Sequence, residues 1–412
     1  MVSNVGSAAI SAVSLVDSIN VLVIQAFSAL AAGGAIVCAQ YIGQKNVKRA
    51  NESARQVLFI ITAISVVISL ICLVFQKPML RLIFGSVEAE VMRASEIYFF
   101  YTALSFPFIA AYDSAASIFR AQDNTKGPML ISMISNVMNI AGNAMLIWGF
   151  HMGVAGAALA TLISRVFCAV VVLAQLRQDR QPIVVRDYLK IRPDFRMIRR
   201  ILSIGIPSGV ENSMFQLGKV LVLSLVSTFG TYAIAANAVS NVITLFSILP
   251  GQAICLAVTT VIARCVGAGD YEQAKYYNKK LILLTHIGMA ITIFIVFITL
   301  PFILKVYNLS EAASEATRHI IWFHGFCAIL IWAESFTLPA TFRACGDAKA
   351  CMIISTVSMW IFRVGASYIL GKNLGLGVFG VWVAMIIDWA FRSLLFGIRY
   401  FSGKWKKHAL VS

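Results

Sequence analysis

Charge is what this chain has little of. Of its 412 residues only 13% are Asp, Glu, Lys or Arg, about half the share in an ordinary soluble domain. A water-soluble helical protein of this length would need polar faces that most of its segments lack. There is no soluble stretch long enough for a nucleotide-binding domain, which argues against an ATP-driven pump. No GxSxG, HExxH or phosphate-binding loop occurs, and His151, His286, His319, His324 and His408 are dispersed without a carboxylate cluster in sequence. Acidic pairs of the DDxxD kind, which a membrane-embedded transferase would want, are also missing. The chain therefore reads as something other than an enzyme. Eight cysteines show no CxxC and no Cys/His pair at metal-ligand spacing, so they are expected to be reduced packing residues, with no metal and no cofactor. Met1 runs into small polar residues without a basic n-region, so no cleavable signal peptide is expected.

What is present is apolar: 59% of the residues, gathered into runs of membrane-spanning length. The runs predict eleven spans, at 14–37, 56–76, 95–118, 128–149, 154–176, 201–228, 239–262, 281–303, 319–341, 351–371 and 376–398. They also repeat. Gly6, Ala9, Ile10 and Ala12 recur as Gly230, Ala233, Ile234 and Ala236, and Ala39, Gly43 and Ala50 recur at the same offset as Ala263, Gly267 and Ala274. Phe119-Arg120-Ala121, Lys126, Met129 and Ser135 return as Phe342-Arg343-Ala344, Lys349, Met352 and Ser358, one residue closer. Val154, Gly156 and Ala160 return as Val378, Gly380 and Ala384. Corresponding helices run in the same direction, so the expected fold is an all-α integral membrane protein of two parallel-repeat helical bundles. The segment 201–229 has no counterpart in the first copy, which is expected to lack its first helix.

The formal charge of +16 is a topology signal rather than a nucleic-acid footprint. Under alternating topology one set of loops holds only Lys77, Arg81, Arg93, Lys305, Arg318 and Lys372, and Arg165, Lys219, Arg363 and Arg392 lie inside spans. The rest of the 34 Lys and Arg fall on the other side, which the positive-inside rule makes cytoplasmic. The expected organisation is a first lobe over 1–177, a basic cytoplasmic connector over 178–200 with a short amphipathic helix near Met197, a second lobe over 201–398, and a basic cytoplasmic tail over 399–412.

Ionisable residues inside spans are costly and so informative. They are Asp17, Asp113, Arg165, Glu211, Lys219, Glu334, Arg363, Asp388 and Arg392. Asp388 and Arg392, four apart, can pair on one helix. Arg165 and Arg363 need partners elsewhere. Glu211 follows Pro207 by four residues, where a freed carbonyl makes a proton or cation site plausible. Lys219 lies two turns deeper. Asn136, Asn139 and Asn143 form one polar stripe, Asn237 and Asn241 another, and Asp17 with Asn20 a third. Such stripes are inter-helix hydrogen bonds or the lining of a wet cavity. The Arg-Ala-x-x-Asp/Asn-x-Lys turns at 120–126 and 343–349 read as structural hairpins, with Asp347 as a helix cap.

Across nearly the whole chain the sequence resembles the multidrug and toxic compound extrusion (MATE) family. The residues that carry this are Val2-Ser3-Asn4-Val5-Gly6 through Ala12, Ala39-Gln40-Tyr41-Ile42-Gly43-Gln44, Gly205-Ile206-Pro207-Ser208-Gly209, Ser335-Phe336-Thr337-Leu338-Pro339 and Phe342-Arg343-Ala344-Cys345-Gly346-Asp347. The resemblance implies a twelve-helix pattern, of which eleven are expected here. It also implies a plasma-membrane monomer exporting small amphipathic cations in exchange for Na⁺ or H⁺, with membrane lipid as its surroundings and no nucleic-acid partner. One branch of the family places an ion site on a helix 1 aspartate, with companions on helices 5 and 6. By resemblance Asn139, Asn143 and Thr161 stand at the companion positions, and the aspartate would lie before Met1. Other members use a helix 7 carboxylate, for which Glu211 is the matching type about one turn displaced. A flippase for a lipid-linked sugar, from the wider superfamily, is the alternative, kept open by Arg165, Lys219 and Arg363.

Overall fold

The computed structural model describes residues 6–85, 87–178, 182–186, 188 and 192–410. The motif residues 2–5 and the connector residues Arg180 and Lys190 lie outside them. Helix is the only regular structure among the described residues, as eleven apolar runs in lipid require. In a bilayer each backbone polar group must be satisfied within its own segment.

Two compact units divide at Gly209 and Val210. The first holds α1 (Ser7–Gly43), α2 (Val47–Val74), α3 (Gln76–Phe84), α4 (Ala89–Leu104), α5 (Phe106–Ala121), α6 (Lys126–Ala144), α7 (Gly153–Leu176) and the start of α8 (Phe195–Ser227). The second holds the rest of α8, α9 (Thr231–Gly267), α10 (Tyr271–Tyr307), α11 (Glu311–Trp332), α12 (Leu338–Ala344), α13 (Ala348–Ser358) and α14 (Gly377–Phe401). Each expected span falls on helix. Nine helical segments among the described residues are long and apolar enough to cross a membrane by themselves. The span at 95–118 is split at Ser105, with Pro107 opening α5, because proline cannot supply the N–H that would continue the ladder. The short α3 was not anticipated. Large apolar side chains face outward in number, among them Phe302, Leu330 and Phe294, the arrangement lipid tails favour.

The duplication is visible bond by bond. After α1, Asn46 N–H donates to the Tyr41 carbonyl at 3.0 Å and Lys45 takes φ 59°. After α9, Asp270 N–H donates to Cys265 at 3.0 Å and Gly269 takes φ 75°. Asn46 and Asp270 then cap α2 and α10 with their side chains. A Cβ on Gly156 would meet the Leu146 backbone, and one on Gly380 the Leu370 backbone. Ser135 donates to the carbonyl of Ser164, and Ser358 to that of Asp388. The offset grows by one between Ser358 and Ile369, and that is where α13 passes into a π-helical segment, Met359–Gly365. A π turn closes i→i+5 bonds, so it takes in one extra residue without breaking the helix.

One expectation about the connector changes. No separate helix forms near Met197. Pro193 and Asp194 start α8 directly, and the Asp194 carboxylate accepts from the N–H groups of Arg196 and Met197 at 2.9 and 3.2 Å. The described connector residues are stapled to the first unit. Ile183 and Val185 are fully buried, their stretch is held by the Gln122 and Asn51 side chains, and Gln56 holds the backbone of Arg192 and Asp194. Within that unit α8 meets α1 closely, Gly205 N lying 2.8 Å from where a Gly33 Cβ would stand. All eight cysteines are free.

Candidate functional site

In the first unit, α6 and α7 bring Asn139, Asn143 and Thr161 together. The Asn139 amide donates to Thr161 Oγ1 and to Ser164 Oγ, both at 3.3 Å, and the Asn143 amide donates to Asn139 Oδ1 at 3.1 Å. Asn143 Oδ1 is buried with no hydrogen-bond partner. Asn136, on the same stripe, points outward and joins nothing here. The hydroxyls of Thr161 and Ser164 are tied back to their own helix, so the cluster is rigid and neutral.

A second group in that unit links α1, α4 and α7. Asp17 Oδ1 accepts from Asn20 at 3.2 Å and from the Tyr98 hydroxyl at 3.3 Å. Arg165 donates to Ser105 Oγ at 2.7 Å, where α4 and α5 part. Asp17 and Asp113 both lie within electrostatic reach of this guanidinium. The partner that Arg165 demanded is thus a hydroxyl, with two acids behind it.

The second unit contains a direct ion pair. Glu211 pairs with Arg343 at 3.0 Å, with side chains 11% and 26% exposed. The Arg343 turn is therefore more than a hairpin: its cation reaches into the unit and takes the α8 carboxylate. Lys219 and Arg363 instead lie over the Phe215 ring, 5.1 and 5.2 Å from its centre. Asp388 and Arg392 form no direct ion pair. Asp388 Oδ1 accepts from Ser358, while Arg392 donates to the Ser335 carbonyl at 3.3 Å and stacks over Phe336. Arg363 lies within the π segment Met359–Gly365 that follows α13, while Asp388 and Arg392 each take a partner on another segment in place of one another. Asn237 is an inter-helix bond: Trp382 Nε1 donates to its Oδ1 at 3.1 Å, and the Asn241 amide donates to its carbonyl. Asp347 stands at the N-cap of α13 as expected, but its side chain makes no cap bond there. Arg399 takes its carboxylate at 2.6 Å.

Glu334 lies in a π turn, Ala333–Thr337, and its Oε1 lies 3.0 Å from His286 Nε2. The sequence showed dispersed histidines without a carboxylate partner; this contact joins residues 48 apart, and no local pattern marks it. Arg343 was likewise overlooked as a partner, although its place in a motif after a proline-bearing span was a usable signal.

These features can be set beside known proteins. The MatE family model matches residues 1–145 and 207–369. A probable multidrug resistance protein, YoeA, of Bacillus subtilis is 27% identical over 98% of this chain and 88% of its own length. A probable multidrug resistance protein, NorM, of Thermotoga maritima is 26% identical over 98% and 87%. Among solved structures, a MATE protein in its bent conformation superposes with TM-score 0.90 at 20% identity, covering 98% of this chain and 90% of the other. An outward-facing multidrug resistance MATE transporter gives 0.88 at 18%. With duplicated helical halves, polar clusters held inside apolar spans, and a family match across most of its length, the chain belongs to the MatE family of membrane transporters.

Proposed function

We propose that the protein is a multidrug exporter of the secondary-active kind, expelling small amphipathic organic cations in exchange for entering H⁺ or Na⁺. It works as a monomer in the plasma membrane, with the 178–200 connector and the C-terminal tail in the cytoplasm. The names of its relatives support export. The observation that carries ion coupling is Asn143 Oδ1, an unpartnered buried acceptor beside Asn139 and Thr161. A lone pair so placed costs stability until a cation or a proton donor meets it. Glu211 is the second coupling candidate. A cation or proton that took the carboxylate from Arg343 would bind one conformation better than the other, which is what coupling requires.

The test is efflux of a fluorescent organic cation from proteoliposomes under imposed H⁺ or Na⁺ gradients. Wild type is expected to respond to one gradient, and Asn143→Leu and Glu211→Gln to lose at least tenfold of the driven rate. No driven efflux from wild type overturns the reading. The flippase alternative is favoured by one observation, the two cations flanking Phe215, which suit a pyrophosphate. Movement of a lipid-linked pyrophosphate, with none of the organic cation, would select it.

A further inference from the structure

The contact between His286 on α10 and Glu334 fixes a count of hydrogens. His286 Nδ1 lies 2.6 Å from the Ile329 carbonyl oxygen. A carbonyl only accepts, so Nδ1 carries a hydrogen. In a neutral ring the other nitrogen, Nε2, then presents a lone pair. It faces Glu334 Oε1 at 3.0 Å, and an ionised carboxylate also presents only lone pairs. Two lone pairs do not make a contact at that distance, so a hydrogen lies between them. Whether it sits on the ring or on the acid, the pair holds one proton more than a neutral imidazole beside a carboxylate.

The surroundings leave this proton to the pair. Among the described residues, the charged group acting on His286 is Glu334. Several titratable groups on the neighbouring elements are engaged elsewhere. Cys255 of α9 is bonded to Phe336 and Thr337. On α11, His324 lies against Trp382 and Trp389, and Cys327 packs in the core. Arg343 of α12 is held by Glu211. On α14, Arg392 is held by Ser335, and Asp388 by Ser358. On α10 itself, Lys280 lies over Tyr276. Glu334 Oε2 is buried without a hydrogen-bond partner, although the side chain as a whole is 34% exposed, so among the described residues His286 is the group that answers the carboxylate. The residue also sits in a π turn, a helical irregularity frequent at functional sites.

We propose that His286 and Glu334 form a one-proton binding site whose emptying unlinks α10 from the π turn after α11. The proton site stands on its own geometry; its use in transport rests on the exporter reading and names H⁺ as the coupling ion.

The test is a pH titration of the full chain in nanodiscs, following histidine ¹⁵N and glutamate side-chain ¹³C signals by NMR, assigned with Glu334→Gln and His286→Gln. The amide introduced by Glu334→Gln can donate to Nε2, so that variant keeps the contact and the fold. In wild type the His286 and Glu334 signals are expected to move together in one step. In Glu334→Gln the His286 midpoint should shift by at least one pH unit, a tenfold change. Two independent steps, or an unmoved His286 midpoint in Glu334→Gln, overturn the site. In proteoliposomes, efflux driven by a pH gradient should fall at least tenfold in Glu334→Gln, and a full rate there removes the pair from coupling. If wild type shows no driven efflux, the exporter reading fails and the titration alone decides the proton site.

Discussion

A carboxylate facing a guanidinium can lose its partner in two ways, and they differ in cost. Arg343→Ala leaves Glu211, 11% exposed, as an unpaired charge. Glu211→Gln leaves an amide oxygen that Arg343 can still reach, and Arg343 has more access to solvent. Removing one partner of a buried pair costs about 3–5 kcal/mol. For this partly open pair the expected loss in Arg343→Ala is about 3 kcal/mol, the lower end of that range, with Glu211→Gln losing less than half as much. Unfolding in detergent measures both, and equal losses would show that the charge on Glu211 is not what Arg343 stabilises. The same asymmetry explains why sequence pointed at Glu211 and missed its partner. An acid inside a span announces itself by composition, whereas its counter-ion arrives 132 residues later from a turn that looks structural.

Among elements, the spans were legible because a run of apolar residues long enough to cross lipid leaves little doubt about helix. The defects were not. The break at Ser105, the π turns at 333–337 and 359–365 and the short α3 cost the hydropathy pattern nothing, so it does not register them. The polar stripes were visible as spacing, yet spacing did not separate the Asn139 cluster from the outward-facing Asn136. The connector also looked like a polar linker, because the side chains that hold it belong to α2 and the α5–α6 turn. Tyr188 is one of its anchors, donating to the Leu173 carbonyl at 2.6 Å with Arg177 over its ring. Burial pushes its phenol up to about 12 from an ordinary value of 10. A raised folded value means that the docked form is favoured below the ordinary value and loses that preference as pH climbs between the two. The connector should therefore stay docked to about pH 10 and loosen progressively above it, while Tyr188→Phe should remove that dependence. Limited proteolysis of the connector across alkaline pH checks this; a wild type and a Phe variant with the same profile would refute it.

At the scale of the whole molecule, the distribution of Lys and Arg predicts which side of the membrane each loop occupies. A cysteine placed at the exposed Arg186 position, in a variant without the eight native cysteines, is expected to resist an impermeant thiol reagent in intact cells and to react in inside-out vesicles. Reaction in intact cells would invert the topology.

The single residue by which the two copies fall out of step also limits how they can be recombined. One residue turns an α-helix by about 100°, so a chimera that exchanged 126–135 for 349–358 would keep every side chain on its own face. So would one that exchanged the stretch from Met145 onward for the stretch from Ile369 onward. An exchange cut inside 359–365 would rotate everything beyond the joint, carrying the side chains after it off the faces they hold against α14. The π segment is thus a seam. Stretches of constant offset correspond face for face, and stretches that run across the π segment do not.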